Sequence, residues 1–139
     1  MKKLVVSDVD FTVWCCLDYD CTCGGNKPVV QELQEMVASG EWELKLWSAG
    51  GAEHAEAAGR ALGLPFTSAH CKAEYPMTRE AVEEIFGRLP DLTLDDDETE
   101  AIEGVEFRHI VGYAGHNYQT ASSLWVPMTE KAKNWSKPE

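Results

Sequence analysis

The sequence predicts an α/β fold, a three-layer sandwich around a mainly parallel five-stranded sheet. Short β-like apolar runs alternate with segments of helical period, the signature of βαβ units. Several runs end in polar or acidic residues rather than fading into turns. The length of 139 residues suits one domain with one core and needs no disulfide or metal support.

The first strand is "KLVVSD", ending at Asp8. After a Cys- and Gly-rich insert, "KPVVQELQEMVASG" sets Val30, Leu33, Met36 and Val37 on one helical face, with Pro28 in the first turn and Gly40 at the stop. "WELKLWS" alternates Trp42, Leu44 and Leu46 against Glu43, Lys45 and Trp47, a second strand ending at Ser48. "GGAEHAEAAGRALGLP" is an alanine-rich helix whose small face can lie close on a sheet. "FTSAH" supplies a third strand. "TREAVEEIFGRL" spaces Ala81, Val82, Ile85, Phe86 and Leu89 helically behind Thr78 as N-cap. "DLTLDDDE" reads as a fourth strand running into carboxylates, and "FRHIVGY" as a fifth. The result is a Rossmann-like sandwich over residues 1–122, with an insert at about 14–27 and a tail at 123–139. No repeat, long linker or second domain is visible. The tail carries Leu124, Trp125, Val126 and Met128, then Lys131, Lys133 and Lys137, and its pattern leaves packing and disorder open.

A formal charge of −12, from 24 acidic against 12 basic residues, gives a field that repels phosphate backbones and disfavours nucleic acid as a partner. "MKKLVVSDVD" has too short an apolar run for a signal peptide, and no window approaches a membrane span, so the expectation is a soluble cytoplasmic protein with no membrane partner. Oligomeric state is not legible. Of the five cysteines, Cys15, Cys16, Cys21 and Cys23 fall within nine residues and Cys71 stands apart. Without an export signal this suggests reduced thiols or a metal site rather than a disulfide framework.

In an open parallel sheet, ligands gather beyond the carboxyl ends of the strands. Those ends deliver Asp8 and Asp10, then Ser48, then Lys72 in the loop after the third strand, then Asp95, Asp96 and Asp97. Singly, each has an ordinary explanation. "DVD" and "DDDE" are common as solvated turns, and Ser48 before "AGG" is a good N-cap. Their order is more informative than any one of them. Acid pair, hydroxyl, lysine and acid pair, each at a strand end, resembles the haloacid dehalogenase superfamily of phosphotransferases over nearly the whole chain. Asp8, Asp10 and Thr12 match its Asp-x-Asp-x-Thr motif, Ser48 its second motif, Lys72 its lysine, and Asp95 with Asp96 its final pair. "DVDFTVW" with "LTLDDDETEAIEG" resembles the small magnesium-dependent phosphatase branch, which carries a Trp soon after the first motif and has no large cap domain.

The resemblance implies a magnesium-dependent phosphomonoester hydrolase. Asp8 would be the nucleophile and would carry an aspartyl-phosphate, and Asp10 would move protons. The Mg2+ ligands would be Asp8, the Asp10 backbone carbonyl and Asp96, supported by Asp95, with a one-residue ambiguity along Asp95-Asp96-Asp97. Ser48 and Lys72 would hold the phosphoryl group, with Ala49 and Trp14 beside the substrate. Thr12, also on the substrate side, would chiefly order the loop. A small phosphorylated molecule or a phosphorylated protein would be the substrate. Alternatives are a nucleic-acid 3′-end phosphatase of the same superfamily, a non-catalytic phosphoryl- or metal-binding relative, or a zinc-held interaction module.

The insert "CCLDYDCTCGGN" occupies the place where that superfamily builds a flap. Its twelve residues suit a hairpin, with Cys15 and Cys16 rising and Cys21 and Cys23 descending. Their spacing lacks the usual gap of zinc pairs, so free thiols are expected over zinc. His54, His70, His109 and His116 share no spacing and read as surface or loop residues.

Overall fold

β1 (Lys3–Asp8) is buried along nearly its whole length on both faces, which its unbroken apolar run requires and only a central strand allows. In the computed structural model, which describes residues 1–10, 12–13, 25–73, 77–110 and 125–126, it pairs in parallel with β3 (Trp42–Ser48) on one side and β5 (Leu92–Asp95) on the other. β4 (Phe66–Cys71) extends the sheet beyond β3, and β6 (Glu106–His109) extends it beyond β5. All five strands are parallel, in the order β4-β3-β1-β5-β6. Their carboxyl ends therefore share one edge.

Three helices complete an α/β sandwich. α1 (Lys27–Ala38) starts with proline in its first turn, and α2 (Ala52–Ala61) follows β3. Val30, Leu33, Ala55 and Ala58 from these two helices bury against Leu44 and Leu46 on one face of the sheet. α3 (Arg79–Phe86) opens with Thr78 as N-cap, whose hydroxyl oxygen accepts the Ala81 N–H at 3.1 Å, and closes at Gly87 in the left-handed region. Its Val82 packs on the opposite face with Leu4, Val6 and Trp47. α2 lies close to the sheet because Gly59 has no side chain. A Cβ there would stand 2.5 Å from Leu46 Cδ1 and 2.6 Å from Phe66 Cε1. Gly59→Ala would force these apart at about 1–3 kcal/mol.

Two expectations, at Trp47 and at the last strand, need adjusting. Trp47, on the polar side of the alternation in "WELKLWS", is 1 % exposed and packs against Phe86, because β3 is covered on both faces. The acidic run after the fourth predicted strand leaves the sheet at Asp95, and Asp97 caps a short 3-10 turn over Glu98–Glu100 by accepting the Thr99 N–H at 2.9 Å. Within the described residues the last predicted strand is shifted by one position: β6 runs from Glu106 to His109, and Ile110 follows with its N–H on the Asp95 carbonyl at 2.9 Å. β2 (Gly25–Asn26) and β7 (Trp125–Val126) form a separate antiparallel pair that joins the end of the insert to the tail. No helix among the described residues is long and apolar enough to cross a membrane.

Candidate active site at the carboxyl edge of the sheet

The parallel register brings the ends of β1, β3, β4 and β5 to one edge, and two groups of side chains form there. In the first, Lys72, just past β4, is buried, and its ammonium donates to Asp8 Oδ1 at 3.0 Å and Asp95 Oδ2 at 2.8 Å. The same Nζ lies 5.3 Å from the centre of the Trp47 ring, which walls it from below. The Lys72 backbone N–H is tied to the Ser48 carbonyl at 3.0 Å, which fixes where the side chain starts. The Thr12 hydroxyl, fully buried, donates to Asp8 Oδ2 at 3.0 Å, with Asp96 Oδ1 further away at 3.4 Å. Asp95 Oδ1 accepts the Asp97 N–H at 3.0 Å. His109 Nε2 donates to the Asp96 carbonyl at 2.9 Å, and its Nδ1 lies 2.8 Å from Glu98.

Asp8, Asp95 and Asp96 each present a carboxylate oxygen, and these oxygens lie within 4.8 Å of one another. Three carboxylates crowd together, and two of them, Asp8 and Asp95, share one ammonium. Burial pushes the Asp8 carboxyl well above the usual range, the Asp95 charge adds to this, and Lys72 opposes it. Burial also pushes Asp95 up to about 6 against the pull of Lys72. Burial alone would lower Lys72, but Asp8 and then Asp95 outweigh it and hold the amine charged. The cluster thus carries more negative charge than its surroundings stabilise. An all-oxygen donor set of this kind fits a hard divalent cation such as Mg2+ rather than a thiolate-seeking one.

The second group centres on Asp10, whose side chain is 34 % exposed. Its carboxylate faces His54 Nε2, at 2.8 Å from Oδ1 and 3.1 Å from Oδ2, and the Ser48 hydroxyl at 3.4 Å. Ser48 is buried, and its Oγ accepts the Gly50 N–H at 2.9 Å. Gly51, at φ 111°, makes the turn from which α2 starts. Ala49 is exposed in that turn.

The structure therefore gathers Asp8, Thr12, Lys72, Asp95 and Asp96 in one cluster and Asp10 with Ser48 in the other. The Asp10 carboxylate lies on the Ser48 side and is not among the three carboxylates whose oxygens lie within 4.8 Å of one another. Trp14, Cys15, Cys16, Cys21, Cys23 and His116 lie outside the described residues, and with them the proposed flap and zinc set. Cys71 is exposed at the end of β4. His70 is half-buried on the α3 side, 2.8 Å from Ser68 Oγ and edge-on to Phe86. Burial, followed by the Lys45 charge, lowers its imidazole.

Sequence reading missed His54. It is not a surface or loop histidine, being 6 % exposed on the third residue of α2. The signal was available, because His54, Ala58 and Ala61 fall at i, i+4 and i+7, so the histidine shares the small-residue stripe that faces the sheet. His109 was missed for a plainer reason: nothing in "FRHIV" marks a side chain that reaches back to the Asp96 carbonyl. Comparison of the chain with family models, with curated proteins and with solved structures finds no match in any of the three.

Proposed function

We propose that the chain is a magnesium-dependent phosphomonoester hydrolase that works through an aspartyl-phosphate on Asp8. The observation that carries this reading is the convergence of Asp8, Asp95 and Asp96 at one sheet edge, the first two on Lys72, with Asp10 turned to Ser48 and His54. The order of the same residues along the chain, which resembles the haloacid dehalogenase pattern, supports it independently.

In this reading Asp8, Asp96 and the Asp10 backbone carbonyl would hold the ion, with Asp95 fixed behind them by Lys72. Magnesium, when bound, offsets the negative charge of the phosphoryl group and of the carboxylates facing it. A carboxylate oxygen of Asp8 attacks phosphorus as the bond to the leaving oxygen breaks, and Asp10 gives that oxygen a proton. Water then attacks the phosphorus of the aspartyl-phosphate and Asp10 takes its proton. The bond to Asp8 breaks and inorganic phosphate leaves. Lys72 neutralises Asp8 in the resting state and faces the transferred group during reaction, while the Ser48 hydroxyl supplies a neutral hydrogen bond. The acidic balance of the chain favours a small phosphorylated substrate or a phosphorylated protein over nucleic acid.

The test is phosphate release from a generic aryl phosphate, with magnesium and with chelator. Turnover is expected only with magnesium, and Asp8→Asn is expected to lower it by about a thousandfold or more. Undiminished turnover in Asp8→Asn would remove the nucleophile assignment, and no turnover on any phosphomonoester would remove the function.

A further inference from the structure

Resting on this phosphatase reading, we propose that His54 is a positioning residue, which fixes the plane of the Asp10 carboxyl so that its proton is delivered to the leaving oxygen. Asp10 needs such a device. Its side chain is one-third exposed on a loop, and a carboxylate so placed turns about its own bonds unless something holds both oxygens. His54 Nε2 faces both oxygens, at 2.8 and 3.1 Å, and is closer than the Ser48 hydroxyl, at 3.4 Å from Oδ2.

The histidine is itself held. It is 6 % exposed and rooted in the first turn of α2. A Cβ on Gly50 would stand 3.2 Å from His54 Cδ2 and 3.3 Å from Ser48 Oγ, so the absence of a side chain there lets both groups lie against the turn. Strand end, glycine turn and helix start thus make one rigid unit, with Ser48 and His54 both directed at Asp10. Rigid support behind a reacting group is what converts a nearby acid into an effective one. His54 faces Asp10 and is not one of the group Asp8, Asp95 and Asp96 whose oxygens lie together.

A positioning role predicts selectivity that a packing role does not. Proton donation matters most for poor leaving groups, so we would measure kcat/KM, with magnesium, for aryl phosphates from dinitrophenyl to phenyl. In H54L the value for phenyl phosphate is expected to fall about tenfold or more while that for dinitrophenyl phosphate falls no more than about twofold, which steepens the dependence on leaving-group basicity. H54Q, whose amide can still donate to Asp10, should restore the wild-type slope. Should H54L fail to fold, H54N, polar but too short to reach Asp10, gives the same contrast with H54Q. Imidazole nitrogen NMR of the metal-free protein adds a readout independent of activity, as the His54 Nε2 signal should shift in Asp10→Ala. Parallel slopes in wild type and variants, or an unmoved Nε2 signal, would overturn the proposal while leaving the phosphatase reading intact. A wild type inert on every aryl phosphate would instead sink that reading, and this inference with it.

Discussion

Asp8 closes β1 and Asp10 stands two residues further on, yet they occupy opposite environments. Asp8 is 7 % exposed, held by Lys72 and Thr12, and crowded by Asp95 and Asp96. Asp10 is one-third exposed and faces a histidine and a serine hydroxyl. Side-chain alternation along an extended segment separates residues i and i+1, but it puts i and i+2 on one side. The chain breaks that rule by leaving the strand at Asp8: Val9 and Val13 turn inward to the core, and the Thr12 and Val13 amides fold back on the Val9 carbonyl at 3.2 and 3.0 Å. One short turn thereby divides two chemically identical acids between two environments. Environment, rather than residue type, separates the two acids, and in the proposed function it would leave Asp8 to the cation and the attack and Asp10 to the proton.

The sharpest way to break this contrast is Lys72→Met. It leaves Asp8 and Asp95 buried without their ammonium, and chemical denaturation of the chelated protein near neutral pH should show a loss of about 3–5 kcal/mol, partly recovered on adding magnesium. Equal loss with and without the ion would mean that the carboxylates do not form a cation site. Asp10→Asn addresses the other side. Its stability should stay within about 1 kcal/mol of wild type, because the group is partly solvated. Its phosphate release from phenyl phosphate should fall about a hundredfold. A large stability loss without a kinetic one would invert the roles assigned to the two acids.

The smallest effect is in pH. Asp95 is raised to about 6 in the folded chain against an ordinary value near 3.8. The native state therefore holds a proton there that the unfolded chain has already lost, so this group's contribution is fully present below about pH 4 and is lost as pH rises through about 6. Relative to wild type, metal-free Asp95→Asn should gain about 1–3 kcal/mol between those limits, read from denaturation midpoints at each pH. A flat difference would show that Asp95 is not under the strain its burial implies.

Much of the fold was legible because periodicity and burial agree in the segments that matter. "KLVVSD" and "WELKLWS" match β1 and β3 residue for residue, and Thr78 caps α3 as its position suggests. Trp47 was misread because alternation marks a strand covered on one face, whereas β3 has α2 on one side and α3 on the other. At the site, the acids, Ser48 and Lys72 could be located because each ends a parallel strand or follows its end within two residues, and topology alone brings strand ends together. How those residues divide could not be read, since it depends on the turn at Val9–Val13 and on one histidine in an alanine-rich helix. Hydrogen bonds across 44 positions of sequence, such as that between His54 and Asp10, leave no periodic trace.

The contrast between the two acids is tested most directly by finding which residue carries phosphorus during turnover. With magnesium and an aryl phosphate present, acid quenching followed by borohydride reduction and peptide mass analysis should mark Asp8 alone. A mark on Asp10 or Ser48, or turnover with no acyl-phosphate on Asp8, would contradict the assignment of nucleophile and proton carrier on which the account stands.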